Sequence, residues 1–326
     1  MNNQYIGHSS QLYGVEEHRL VGGMGDGMRL FEVRNGKGLE FTVAADRAAD
    51  ISRLLLNGIN LGYFAPCGYV APAYYDRFDT GFFKSFYAGF LTTCGLQAVG
   101  VPCEDNGESL PLHGTVSNIP AEHIYWREEN DEIVIYATVK DERLFSHKLV
   151  LQREIHCSLC ENVITIKDKV TNLGDTDYPV MFLYHMNMGY PLLCENSVLT
   201  INSKKVVARN ERAQEGINEW DKLQKPEVGF EEQCYFHSFE GNGIAQIYNP
   251  DLKVGIKISF DSEKLPYFTE WKMMGVRDYA LGLEPGNSHP DGRDVMRKQG
   301  KLQILKPGET ADFGVQITAF GIAEKK

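Results

Sequence analysis

The sequence predicts an all-β fold in which antiparallel sheets pack face to face as a sandwich. Two observations carry this prediction. Short runs rich in β-branched and aromatic residues recur along the chain, separated by turns that contain Gly, Pro, Asn or Asp. Helical periodicity is scarce, so the pattern lacks the crossover helices that a parallel sheet requires. The only segment with helical character is short and polar, at residues 211–225.

The N-terminal part predicts a hairpin. Residues 28–33 and 39–43 alternate apolar and polar side chains on either side of an Asn35-Gly36 turn, which is the strongest local hairpin signal. The glycine-dense residues 21–27 precede it, with neither the strand before nor the helix after that a dinucleotide-phosphate loop needs. A phosphate cradle is therefore not favoured there.

The strand pattern continues through the rest of the chain. Predicted strands cover residues 133–139, 148–153, 163–171 and 198–201, a hairpin covers 244–260, and a tail of the same shape covers 302–320. The sequence contains no internal repeat, low-complexity tract or linker. Residues 1–326 are therefore expected to form one domain.

Composition narrows the class of function. The formal net charge of −11 disfavours nucleic-acid backbones and anionic membrane surfaces as partners. No apolar run approaches the roughly 18 residues of a membrane span, and the first residues do not resemble a secretory leader. The seven cysteines are scattered through a long chain, which favours a reducing, cytoplasmic compartment. The expected ligand is neutral or small.

The main site candidates lie in three stretches, each at the end of an apolar run or a polar loop. Residues 183–191 end an apolar run with His185 and Asn187, His113 follows a polar loop, and Glu284 ends a strand-like run before two breakers. Burying such groups costs free energy unless they meet partners or a ligand. We therefore expect His185 and Glu284 to face each other across a bound molecule.

Five further residues are candidates for substrate binding. Arg47 lies among small apolar residues, where it either forms an ion pair or donates to substrate hydroxyls. Thr93 and Gln97 belong to a polar patch bounded by hydrophobic residues. Trp271 offers a stacking face, and Lys272 is either a charge for an acidic sugar or a solvated strand residue. The dense aromatic cluster at 62–90 is mostly core packing, with one or two rings in a pocket.

Metal, thiol and glycosidase sites are less favoured. The pairs Cys157/Cys160 and Cys234/His237 have the two-residue gap of zinc sites, but they are far apart in ordinary strand sequence. A lone thiol such as Cys94 is more often a small buried hydrophobe than a nucleophile. Glycoside cleavage needs two carboxylates, and nothing singles out a partner for the carboxylate at 284.

A histidine with a carboxylate suits the transfer of two protons on one small molecule. Opening a cyclic hemiacetal removes a proton from the anomeric hydroxyl and adds one to the ring oxygen, and closing the ring on the other face inverts that carbon. A general acid and a general base typically contribute about 10²–10⁴-fold each. This chemistry requires no cofactor.

The order of the motifs resembles the aldose 1-epimerase (galactose mutarotase-like) superfamily over nearly the whole chain, most closely a bacterial branch without a settled substrate. The motifs are Leu112-His113-Gly114, Tyr184-His185 with Asn187, Leu283-Glu284-Pro285, Gly300-Lys301-Leu302 and Pro307-Gly308-Glu309. The resemblance implies a β-supersandwich with its pocket on a concave sheet. It also implies that His185 protonates the ring oxygen, that Glu284 is the base at the anomeric hydroxyl, and that His113 is an auxiliary polar group.

The sequence departs from better-known mutarotases near these motifs. Met186-Asn187-Met188-Gly189 replaces the Pro-Tyr and aromatic that usually follow the acid histidine, and the Asn-Arg pair before the first histidine is missing. These departures do not favour galactose or glucose as the substrate.

Two alternative functions stay open: a non-catalytic sugar-binding protein, and an isomerase acting at a carbon next to a carbonyl. The oligomeric state also stays open, a homodimer included.

Overall fold

A computed structural model describes residues 4–78 and 80–321, and β-strands dominate it. The first twelve strands are β1 (Gly14–Arg19), β2 (Arg29–Arg34), β3 (Leu39–Ala44), β4 (Asp50–Leu56), β5 (Ile59–Asn60), β6 (Tyr63–Phe64), β7 (Ala88–Gly89), β8 (Leu91–Leu96), β9 (Cys103–Asp105), β10 (Glu108–Leu110), β11 (His123–Glu129) and β12 (Glu132–Glu142). The next twelve are β13 (Lys148–Ser158), β14 (Val163–Asn172), β15 (Tyr178–Met188), β16 (Val198–Ile201), β17 (Lys205–Ala208), β18 (Gln233–Ser238), β19 (Gly243–Asn249), β20 (Val254–Phe260), β21 (Tyr267–Met274), β22 (Tyr279–Gly286), β23 (Gln303–Leu305) and β24 (Thr310–Gly321). Two short α-helices are α1 (Glu211–Glu215) and α2 (Arg293–Lys298).

Three antiparallel sheets contain most of the strands. One has the order β1-β2-β3-β4-β5, and an eight-stranded sheet has the order β11-β12-β13-β14-β24-β20-β19-β16. A seven-stranded sheet has the order β17-β18-β21-β22-β15-β23, with β8 pairing to β15 off this path. The strand pairs of these sheets are antiparallel, which confirms the predicted fold class.

The predicted hairpin at the Asn-Gly turn is confirmed as β2 and β3. Asn35 holds the turn, because its Oδ1 accepts hydrogen bonds from the backbone N–H groups of Lys37 and Leu39 at 2.8 and 3.1 Å. Gly36 follows at a φ of +74°, which costs glycine little. Alternation then places Leu39 and Phe41 in the core.

The main core lies between the seven-stranded and eight-stranded sheets. Phe182 on β15 stacks on Phe313 of β24 with ring centroids 4.7 Å apart, and both rings are buried. Tyr184, two residues later on the same face, donates a hydrogen bond to Asp168 of β14 at 2.7 Å. Because side chains alternate along a strand, residues 183, 185 and 187 of β15 lie on the opposite face.

The C-terminal tail differs from the predicted hairpin. Its two strands exist, but β23 pairs with the start of β15, Tyr178 opposite Leu305, while β24 crosses to the eight-stranded sheet. The turn at 306–309 therefore joins two sheets. This exchange of partners depends on contacts with residues more than a hundred positions away, which the local pattern does not contain.

The helical segment predicted at 211–225 is shorter in the structure. Asn210 caps α1 by accepting a hydrogen bond from the Ala213 N–H at 2.9 Å, and the helix ends at Gly216. Helix α2 was not predicted, because its six residues are mostly charged and too few to show a period. No helix among residues 4–78 and 80–321 is long and apolar enough to cross a membrane.

Candidate active site

A cavity of about 660 Å³ lies on the face of the seven-stranded sheet that is turned away from the main core. This volume is in the range of small-molecule sites, about 300–1,000 Å³. Its lining residues are Tyr63, Ala65, Pro66, Cys67, Phe82, Phe83, Phe86, Gly100, Val101, Leu112, His113, His185, Arg209, Glu232, Cys234, Thr269, Trp271, Met273, Asp278, Glu284 and Pro290.

Strand register brings the two main candidates together on the floor of this cavity. Thr92 of β8 pairs with His185, and Thr269 of β21 pairs with Glu284. The register between β15 and β22, in which Leu183 faces Gly286, places His185 level with Glu284. Residues 113, 185 and 284, which are distant in sequence, all line the cavity.

The His185 and Glu284 side chains touch, so the expectation that they face each other across a bound molecule is corrected: they lie side by side. Nε2 of the imidazole lies 3.2 Å from Oε1 of the carboxyl group, and both side chains are almost fully buried. Nε2 and Oε1 are not aligned as a hydrogen bond, so Glu284 Oε1 has no hydrogen-bond partner among the described residues. The other ring nitrogen of His185, Nδ1, also has none. Buried polar atoms are rarely left unpaired, which makes this pair a candidate for ligand contact.

Burial shifts both groups toward their neutral forms. It lowers the pKa of His185 to about 3, and the positive charge that the neighbouring His113 could carry adds to the decrease. Burial also raises the pKa of Glu284 well above its usual value, with Glu232 adding to the increase and Arg209 opposing it. Both shifts favour the uncharged forms, a neutral imidazole and a protonated carboxyl group.

A glycine makes room for the Glu284 carboxyl group. Gly282 precedes it by two residues on the same face of β22 and lies opposite Trp271. A Cβ atom at Gly282 would overlap Glu284 Oε1 and approach Trp271 Cβ to 3.0 Å. The carboxyl group therefore leans over Gly282, level with the indole.

His113 lies beside the pair. Its ring centroid is 5.5 Å from that of His185 and 5.5 Å from that of Phe82. Its backbone has a φ of +57°, in the left-handed region that is uncommon for residues other than glycine. Nδ1 accepts a hydrogen bond from the Gly100 N–H at 3.3 Å, so the neutral ring carries its proton on Nε2. Burial lowers the pKa of His113 to about 4, which keeps the ring a neutral donor at pH 7.

Trp271 lines the cavity. Its indole ring meets the His185 ring edge to face at a centroid distance of 5.4 Å. Its Nε1–H donates to Glu232 Oε2 at 2.6 Å, which fixes the orientation of the indole. An indole held in this way offers the aromatic surface that sugar rings pack against.

Three predicted binding residues lie outside the cavity lining, and these assignments are corrected. Arg47 is buried, and its guanidinium donates to the carbonyl oxygens of residues 117, 70 and 85 at 2.5, 2.9 and 3.1 Å. Thr93 is fully buried and donates through Oγ1 to Asp50 at 2.6 Å. Gln97 donates to Thr115 at 2.7 Å. All three hold the scaffold behind the site, because their polar groups are already satisfied by protein.

Two more assignments are corrected for reasons of strand geometry. Asn187 shares the face of His185, but its amide nitrogen donates to the carbonyls of Gly89 and His185, at 3.2 and 3.0 Å, and it does not line the cavity. Lys272 lies on the opposite face of β21 from Trp271, where Nζ donates to the Glu219 carbonyl at 3.1 Å. Lys272 therefore points into the protein, away from any acidic substrate in this cavity.

The structure adds residues that the sequence did not single out. Arg209, just after β17, is the only cationic side chain among the described lining residues. Its Nε donates to Asp291 at 3.2 Å, and its Nη2 donates to the Pro290 carbonyl at 3.1 Å. Glu232, Tyr63 and the carboxylate at 278 also line the cavity. No local motif marks these positions, since only the pairing of distant strands brings them to one wall.

The pairs that have zinc-like spacing do not converge. Cys234 lines the cavity, whereas His237 lies on the other face of β18 and bonds Glu270 at 3.1 Å. Among residues 4–78 and 80–321, no group of three or more His, Cys, Asp and Glu side chains is placed to hold a metal ion. The Cys94 thiol is fully buried, and burial raises its pKa well above the usual value.

Several solved structures have the same fold as this chain. A Klebsiella pneumoniae protein, proposed to be an aldose 1-epimerase, is 26% identical, with a TM-score of 0.89 over 96% of this chain and 86% of that chain. A galactose mutarotase-like protein from Clostridium acetobutylicum is 15% identical, with a TM-score of 0.67 over 96% of this chain and 100% of that one. The galactose 1-epimerase of Lactobacillus acidophilus is 14% identical, with a TM-score of 0.64 over 95% and 99%. The chain therefore has the galactose mutarotase-like fold, and the resemblance stated from its motifs is confirmed.

Within this class, the chain belongs to the family described as "Domain of unknown function (DUF4432)", whose model matches residues 25–319. A comparison with curated protein sequences gave no match.

Proposed function

We propose that this protein is an isomerase that interconverts the anomers of a sugar, with His185 and Glu284 as the acid–base pair. The observation that carries the proposal is their position. The two side chains lie level on adjacent strands, 3.2 Å apart, on the floor of a cavity of about 660 Å³. Nδ1 of His185 and Oε1 of Glu284 have no hydrogen-bond partner among the described residues, so both are free to bind a ligand.

The proposed reaction needs one proton on the pair. Ring opening removes a proton from the anomeric hydroxyl and adds one to the ring oxygen as the C1–O5 bond breaks. Ring closure on the other face of the aldehyde reverses both transfers. His185 acts at the ring oxygen and Glu284 at the anomeric oxygen, so each group serves in turn as acid and as base.

The neutral pair matches the closing step. Neutral His185 accepts the proton of the C5 hydroxyl, while the Glu284 carboxyl group gives its proton to the carbonyl oxygen. For the opening step, the proton must first pass from Glu284 to His185, whose atoms are separated by 3.2 Å. Opposed pKa shifts within one buried pair are a common arrangement in acid–base sites.

Three neighbouring groups orient the sugar in this proposal. Trp271 packs against one face of the ring, and His113 donates from Nε2 to a hydroxyl. Arg209 donates to a second hydroxyl, since its side chain is held by Asp291 and Pro290 but remains partly exposed. The names of similar structures, which include a galactose 1-epimerase and a proposed aldose 1-epimerase, support the same reaction class.

Magnetisation-transfer NMR tests the proposal directly. We expect the wild-type protein to accelerate exchange between the α and β anomer signals of at least one sugar in a panel of glucose, galactose, mannose, xylose, maltose, cellobiose and lactose. Binding without faster exchange would instead support a sugar-binding protein. Deuterium entering a C–H position from D₂O would indicate isomerisation next to a carbonyl, since anomer exchange leaves C–H bonds intact.

The proposal also predicts how activity depends on pH. A free histidine would take up a proton below pH 6.5, but burial lowers the pKa of His185 to about 3. The lower pKa keeps the imidazole neutral at weakly acidic pH, and the raised pKa of Glu284 favours its protonated form. We expect kcat/KM to change by less than about twofold between pH 7 and pH 5.

Rates measured at constant ionic strength, with circular dichroism at each pH, check this expectation. A tenfold decrease between pH 7 and pH 5 with an intact fold would show that His185 titrates as an exposed histidine, against the buried pair described above.

A further inference from the structure

The cavity extends well beyond the acid–base pair. The Glu284 carboxyl group leans over Gly282, and Asp278 precedes that glycine by four residues, just before β22. At about 3.4 Å per residue in an extended strand, the start of β22 lies about 10 Å from Gly282, and Asp278 lies one residue further along the chain. A single pyranose ring spans about 6 Å between opposite hydroxyls, given bond lengths near 1.5 Å. One ring over the pair therefore leaves room for another.

Four residues form this distal part of the cavity, which we call the far arm: Tyr63, Glu232, Met273 and Asp278, all of which line the cavity. Gln233 pairs with Lys272 in the β18–β21 register, so Glu232 lies beside Met273. Tyr63 donates through its hydroxyl to the Arg277 carbonyl at 3.1 Å, beside the Asp278 carboxylate at 3.5 Å. Trp271 lies between the far arm and the pair, and its Nε1–H points to Glu232.

The chemistry of the far arm fits a neutral ring that carries hydroxyl groups. Its two exposed carboxylates, at 232 and 278, accept hydrogen bonds from hydroxyls and repel phosphate or carboxylate groups. Arg209, the only cation among the described lining residues, lies beside Cys234, and its guanidinium is bound to Asp291 and to the Pro290 carbonyl. Apolar surface for the C–H face of a sugar comes from the indole and from Met273.

We propose that the substrate is a reducing saccharide with at least two neutral rings. The reducing ring lies over His185 and Glu284, and the second ring occupies the far arm beside Trp271. This inference rests on the proposed function, because it assigns the anomeric centre to the acid–base pair. It adds that the cavity recognises the part of the substrate that does not react.

Anomer-exchange rates on matched sugars test the inference. We expect kcat/KM for the best of maltose, cellobiose and lactose to exceed the best value among glucose and galactose by at least tenfold. Met273→Trp fills the far arm and should lower this ratio at least tenfold. Val276→Trp adds the same side chain at an exposed position just after β21, outside the cavity lining, and should leave the ratio unchanged.

A second variant guards against a folding defect in the first. Asp278→Trp, at an exposed position, fills the far arm from its other end and should lower the same ratio. Equal or higher kcat/KM for the monosaccharides, or an unchanged ratio in both arm variants, would overturn the inference and leave anomer exchange standing. Exchange accelerated for none of these sugars, nor for the others of the panel, would overturn the proposed function itself.

Discussion

Replacing Glu284 with glutamine is expected to lower kcat/KM for anomer exchange by about 10³-fold, within the usual contribution of a general acid or base. Glutamine has the shape of the protonated carboxyl group but cannot exchange a proton. Because burial already favours the uncharged form of Glu284, the neutral amide should fit the same space over Gly282. We therefore expect the midpoint of thermal unfolding to stay the same or to rise.

A matched control separates catalysis from a general loss of carboxylate charge. Glu231→Gln makes the same change at an exposed position outside the cavity lining, and its rate should equal that of the wild type. Equal rates for Glu284→Gln and the wild type on the best sugar of the panel would remove the carboxyl group from the mechanism.

We expect His185 and Glu284 to act as one acid–base unit. His185→Ala is expected to cost a similar factor, and the double variant should lose little more than either single variant, because one proton serves both groups. Losses that multiply in the double variant would instead mean that the two side chains act independently. Exchange rates of the four proteins on one sugar, each with a thermal unfolding curve, complete the comparison.

The sequence predicted the fold class and the main pair for physical reasons that are local. Alternation and the Asn35 turn specify β2 and β3 within sixteen residues. His185 and Glu284 each stand at a polar break in an apolar strand, which marks a group that needs a partner. That they meet depends on the β15–β22 register, which no local pattern contains. The expectation that they meet came from the cost of burying polar groups and from the order of the motifs.

The binding residues were harder to predict, because a polar side chain in an apolar stretch has two explanations. Arg47 is satisfied by three carbonyl groups from segments 23 to 70 residues away, which no local pattern reports. Alternation did contain one usable signal: Trp271 and Lys272 are adjacent on a strand, so both cannot face one cavity. Arg209 had no signal, since its place on the wall depends on the pairing of β17 with β18.

Replacing Arg153 with methionine is expected to lower the free energy of unfolding by about 3–5 kcal/mol, the usual cost of leaving a buried charge unpaired. Arg153 lies between the two large sheets, where its side chain is fully buried. It bonds Asp50 through Nη1 at 2.6 Å and Asp168 through Nε and Nη2 at 2.8 Å each. Methionine would fill most of the space and leave two buried carboxyl groups without a cation.

The Arg153 cluster also contacts strand β15, which holds His185, so its loss should disturb the position of His185. Asp168 accepts a hydrogen bond from Tyr184, the residue before His185. Urea unfolding curves of Arg153→Met and of the exposed control Arg127→Met, expected within about 0.5 kcal/mol of the wild type, measure the difference. Adding Asp168→Asn to Arg153→Met should recover part of the loss, because one uncompensated carboxylate is removed. A loss below 1 kcal/mol in Arg153→Met would mean that the two aspartates do not depend on the guanidinium.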